Sequence, residues 1–140
     1  MDIIDSIDLG TRDGFDIRAE LVPDTTYYSE PDGDYDPETV AAFRNGDWHY
    51  VGIIVTASRN GTDLGSDSLW AVEAGTMPVG KWGYPSLAVP GGESRMVDPL
   101  RDDEGSLNGY REDMVGNAVA DARLKLTELI DAAIDDSMGA

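Results

Sequence analysis

The chain has 140 residues, 41% of them hydrophobic, and its 28 acidic against 10 basic side chains give a formal charge of −18. A chain of this length closes around one core, so a single domain over 1–140 is expected, and such a charge argues against direct contact with nucleic acid or an anionic membrane, since phosphate binding depends on Lys and Arg displacing counterions. The absence of cysteine excludes disulfides and thiolate chemistry, no apolar run approaches the roughly 18 residues of a membrane span, and the acidic start MDIIDSIDLG is unlike a signal peptide, so a cytoplasmic location is expected.

In chain order, Phe15 to Leu21 alternates strictly. Phe15, Ile17, Ala19 and Leu21 fall on one face and Asp16, Arg18 and Glu20 on the other, the pattern of a half-buried strand. Asp24 to Asp36 is acidic and turn-rich. A short helix is expected with Asp36 as N-cap and Pro37 in its first turn, ending near Arg44 before Gly46. Trp48 to Ser58 is β-branched and aromatic, and Asn60-Gly61 is a hairpin signal before a second strand near Ser68 to Glu73.

From about 75 to 105 the chain is rich in Gly, Pro and other turn residues, with only Ser86 to Val89 resembling a strand. A loop of that length is functional or partly disordered. The clearest element is last. From about Gly109 to Asp136, the residues Val115, Val119, Ala122, Leu126, Leu129, Ile130 and Ala133 recur at spacings of three and four, an apolar stripe expected to be core. The acids Asp121, Glu128, Asp131 and Asp135 lie roughly 160° away around the helix. The tail from Asp135 is expected to fray from about Asp136, because acids oppose the negative end of the helix dipole. The fold class is therefore α+β: a small, mainly antiparallel sheet packed by a long C-terminal amphipathic helix, plus one short helix.

Few residues suggest chemistry. In EPDGDYDPE, residues 30–38, Asp32, Asp34 and Asp36 stand at alternate positions like the first ligands of an EF-hand. Pro37 and Phe43, however, occupy the places of its obligatory Gly and closing Glu, so a solvated turn leading into an N-cap is favoured over a metal site. His49, the single histidine, has only Asp47 and Ser58 nearby and reads as a strand residue facing solvent. No nucleophile elbow, phosphate loop, zinc-protease helix or dinucleotide fingerprint occurs, so no enzyme activity, cofactor or metal is expected. Trp82 and Tyr84 stand in the long loop beside Lys81. Loop aromatics usually fold onto a core, and the functional reading makes these two anchors for a partner.

The charge has a bland reading, in which an aspartate-rich and lysine-poor surface keeps the chain soluble in a salt-rich cell. In the functional reading, ordered carboxylates attract a basic protein and imitate a phosphate backbone. Along the helix Asp121, Glu128 and Asp135 are about 10.5 Å apart at the usual rise, sparser than duplex DNA, so mimicry needs the Asp32 loop or a second subunit to complete the row. A homodimer is thus left open.

The segment Trp48 to Glu73, WHYVGIIVTASRNGTDLGSDSLWAVE, resembles a hairpin of small acidic accessory proteins from actinobacterial phages. The resemblance implies a protein that acts by binding and blocking a host protein, in the host cytoplasm, with no catalytic residues to carry over. The leading expectation is a non-enzymatic acidic protein that inhibits or sequesters a basic, nucleic-acid-binding host protein. Its contacts would be Asp32, Asp34, Asp36, Asp121, Glu128, Asp131 and Asp135, with Trp82 and Tyr84 as anchors. The alternative is a structural or assembly protein whose acids only confer solubility and whose working surface is the long helix or the Gly/Pro-rich loop.

Overall fold

The computed structural model describes residues 2–25, 31, 35–78, 93–103 and 105–138. The elements are β1 (Asp5–Arg12), β2 (Phe15–Pro23), α1 (Pro37–Arg44), β3 (Trp48–Arg59), β4 (Thr62–Pro78), β5 (Ser94–Val97) and α2 (Ser106–Met138). All neighbouring strands pair antiparallel in the order β1-β2-β3-β4-β5. The α+β class read from the sequence is the one the chain adopts.

Two tight turns set this order. Asn60 and Gly61 have φ of +54° and +80°, and Asp13 and Gly14 have +56° and +84°. Left-handed backbone at both central residues follows the right-handed twist of the flanking strands, which is why Asn-Gly and Asp-Gly serve there. Strand β1 was not anticipated. Its signals are the Asp13-Gly14 pair and the apolar Ile7 and Leu9, which pack against the main core.

Alternation then divides the sheet into two faces. Phe15, Ile17, Ala19 and Leu21 of β2 are buried on one face, as expected, beside Val51, Ile53, Val55 and Ala57 of β3. Leu107, Met114, Val115, Ala118, Val119 and Ala122 of α2 close over them. Trp48 and Tyr50 alternate to the other face, where Ala42 and Phe43 of α1 cover them. The Trp48 indole N–H donates to the Thr39 carbonyl at 2.9 Å and pins α1 there. Helix α1 has the expected bounds, but Asp36 makes no side-chain cap bond.

Strand β4 is longer than the expected Ser68 to Glu73. It tolerates its length by a bulge: pairing shifts from Val51–Val72 to Ile53–Leu69, so Trp70 and Ala71 together oppose Gly52. Ala71 takes φ of +57°, and its amide donates to the buried Asp24 carboxylate at 2.8 Å. Strands β4 and β5 therefore occupy both ends of the region read as a loop from 75 to 105. The short strand expected at Ser86 to Val89 lies outside the described residues.

The seating of α2 depends on Gly65. A Cβ there would overlap the Ala122 amide nitrogen and the Ala118 carbonyl oxygen, and would stand 2.8 Å from the Ala122 Cα. Helix backbone thus touches strand backbone, an approach only glycine permits. The expectation of a fully core-facing stripe needs correction beyond this point. Val115, Val119 and Ala122 are buried and Leu126 is half-buried, but Leu129, Ile130 and Ala133 are exposed because α2 outruns the sheet. The helix continues through Met138, past the expected start of the frayed tail.

Candidate interaction surface on the projecting half of α2

The body holds α2 up to its middle. Asn117 donates to Asp67 at 3.0 Å, the Ser66 amide donates to Asp121 at 3.1 Å, and Arg123 pairs with Asp13 at 3.0 Å. Beyond Leu126, no hydrogen bond or ion pair joins the helix to the body among the described residues. The segment 127–138 extends about 18 Å at the usual helical rise.

Apolar side chains remain on it. Leu129, Ile130 and Ile134 are 47%, 50% and 50% exposed, and with Leu126 and Ala133 they continue the buried stripe into solvent. At about 100° per residue these five centre on one side of the helix, while Glu128, Asp131 and Asp135 centre on the other. All three acids are exposed. From Leu126 to Met138 the chain carries four acids and no base.

The arginines explain why this field stands out. Arg12 pairs with Glu112, Arg18 with Glu20 and Asp63, Arg95 with Asp102, Arg101 with Asp5 and Asp98, and Arg123 with Asp13. Arg59 lies over the Phe15 ring and donates to the Gly14 carbonyl. These cations offset acids of the body, and none reaches the distal helix. Hydrogen bonding from Arg18 holds the Asp63 carboxyl below its ordinary range, and Arg101 does the same to Asp5.

The structure brings together only some of the residues picked from the sequence. Glu128, Asp131 and Asp135 form one exposed row. Asp121 begins it but is already engaged with Ser66. Asp36 opens α1 on the other face of the sheet and cannot extend the row. Asp32, Asp34, Trp82 and Tyr84 lie outside the described residues. The exposed apolar seam was missed because a helical stripe carries no mark of where its sheet ends.

Two other places have the makings of a site. His49 lines an apolar cleft of 290 Å³ with Ile4, Leu21, Val51, Ala74 and Pro99, and its acids Asp5 and Asp98 are both paired with Arg101. A nucleophile beside the imidazole is lacking among these lining residues. Tyr35, Phe43, Trp48 and Tyr50 form an aromatic cluster whose neighbouring ring centroids are 5.1–5.9 Å apart, so the rings pack on one another, and Phe43 and Tyr50 line a second cleft of 380 Å³ that also reaches His49. Burial, with hydrogen bonds to Tyr50 and Glu73, pushes the Tyr35 hydroxyl far above its ordinary pKa, so it stays protonated. The described residues hold no group of three or more potential metal-binding side chains, and none of their helices is long and apolar enough to cross a membrane.

Comparison of the chain with protein-family models, curated proteins and solved structures finds no match.

Proposed function

We propose that this is a non-enzymatic acidic binding protein that captures a basic, nucleic-acid-binding protein and thereby inhibits or sequesters it. The observation that carries the reading is the row Glu128, Asp131 and Asp135 on a helix that stands clear of the body, with no base from Leu126 to Met138. A charged row on a rigid projection attracts an oppositely charged partner over about a Debye length and orients it on encounter. Its spacing is wider than that of duplex phosphate, so any mimicry of DNA is partial and the partner's own lysines and arginines must reach the acids singly. The hairpin's likeness to small phage proteins suggests a host protein as the target.

Affinity capture from a host lysate at about 0.1 M and about 0.5 M salt tests the reading, run with the wild type and with Glu128→Gln/Asp131→Asn/Asp135→Asn. Basic proteins retained by the wild type at low salt, and lost at high salt and by the triple variant, are the expected result. Equal retention by both proteins would exclude the acid row.

The alternative, a structural or assembly role, draws on the same projection but on its apolar side. It is favoured by the exposure of Leu129, Ile130 and Ile134.

A further inference from the structure

We infer that the apolar seam of the projecting half of α2 is an interface with a second copy of this chain, the two helices running antiparallel about a two-fold axis between Ile130 and Asp131. The first ground is the helix itself. Most helical stability in proteins comes from packing, and a segment of about three turns without it is marginal in water. Asp135 and Asp136 weaken it further at the negative end of the dipole. Yet the segment presents Leu126, Leu129, Ile130, Ala133 and Ile134 on one side with nothing described against them beyond Leu126.

The second ground is charge. Lys125 is exposed and has no ion pair among the described residues, and Asp136 is likewise exposed and unpaired. At about 100° per residue the two fall within about 20° of each other, on one flank of the seam. A two-fold axis perpendicular to antiparallel helices brings like flanks together. With that axis between residues 130 and 131, Lys125 of each copy is level with Asp136 of the other, giving two equivalent ion pairs.

The same register brings Leu129 level with Ala132 and Ala133 of the second copy and Leu126 level with its Ile134–Asp135 step, and the two Ile130 side chains meet near the axis. A parallel pairing would instead align Asp131, Asp135 and Asp136 with their own counterparts. The overlap of residues 123–138 is about 24 Å, of which residues 127–134 of each copy, about 12 Å, lie beyond both bodies, and Lys125 is exposed where the overlap reaches the held part of the helix. A seam this short belongs with weak interfaces, and a charge of −18 on each copy opposes it, so the dimer forms at high concentration and is strengthened by salt.

The seam and the acid row face opposite sides, so this inference stands without the basic-partner reading and is tested on the purified protein alone. Sedimentation equilibrium from about 10 µM to about 1 mM, at about 0.15 M and about 0.5 M NaCl, is expected to show a monomer–dimer equilibrium shifted towards dimer by salt. Ile130→Asp is expected to stay monomeric throughout while keeping the wild-type far-UV circular dichroism and melting curve of the body. Lys125→Glu is expected to weaken the dimer about tenfold, as two exposed pairs become repulsive. Lys125→Glu/Asp136→Lys is expected to restore it. The two positions are three turns apart in one chain, so restoration can only act between copies. A monomer at the highest concentration in both salts, dimerisation of Ile130→Asp equal to wild type, or failure of the double exchange to restore association would each overturn the inference.

Discussion

Replacing Gly65 by alanine adds one methyl group at the point where strand and helix backbones touch. The new Cβ would stand 2.8 Å from the Ala122 Cα, where ordinary contact begins near 3.4 Å, and closer still to the Ala122 nitrogen and Ala118 oxygen. No flexible side chain can yield, so α2 must retreat by more than half an ångström along the line that buries Val115, Ala118, Val119 and Ala122. Overpacking of this kind costs about 1–3 kcal/mol, and with backbone on both sides the upper end applies. Restricting the unfolded chain returns up to about 1 kcal/mol, leaving a net loss of about 2 kcal/mol and a Tm lower by roughly 8 °C. Urea unfolding followed by circular dichroism measures the loss directly. Gly116→Ala is the control. It sits mid-helix with nothing within 4 Å of its Cβ, and it is expected to stabilise by up to about 1 kcal/mol. If Gly65→Ala fell within about 0.5 kcal/mol of wild type, or stabilised as Gly116→Ala does, the helix would not be seated on β4 as described.

Ala71→Gly should stabilise by about 1 kcal/mol in the same assay, because φ of +57° is strained for alanine. Asp24→Ala should cost about 2 kcal/mol by orphaning the Ala71 amide at the bulge. The Asp63 carboxyl is held low by Arg18, so its contribution is present above its unfolded pKa near 3.9 and is lost as pH falls through the lower folded value. Since Asp63 is over half exposed, Asp63→Asn should cost under about 1 kcal/mol at neutral pH, with the two stability profiles converging in acid. Tyr35 is shifted upwards, so its contribution is complete below its unfolded pKa near 10 and is lost above it. Tyr35→Phe should therefore flatten the alkaline fall in stability, and an ultraviolet titration of the folded protein should lose one late-ionising tyrosine in that variant.

Much of the fold was legible because its signals are local. The alternation from Phe15 to Leu21, the Pro37 start of α1, the Asn60-Gly61 turn and the helical period after Gly109 all appear as elements. What escaped depends on partners distant in sequence. Strand β1 is acidic, lies at the edge of the sheet and owes its place to pairing with β2 and to the Asp13-Gly14 turn. The length of β4 depends on the bulge at Ala71, which Asp24 holds from the end of β2. The site was legible in composition but not in place: periodicity put Leu129 and Ile130 in the same stripe as Val115, and only the extent of the sheet decides which of them meets water. Asp121 and Asp36 matched the acid pattern equally, yet one ties α2 to β4 and the other opens α1 on the far face.

The central claim is that the acids on the projecting helix are what a basic protein reads. Stopped-flow association of a captured partner with the wild type and with Glu128→Gln/Asp131→Asn/Asp135→Asn, across a salt series, tests it most directly. The account predicts a wild-type on-rate that falls steeply with salt, and a variant that is slower in dilute buffer with a shallower slope, the two converging near 0.5 M or above, where the Debye length is only a few ångström. Identical rates and slopes for the two proteins would contradict it.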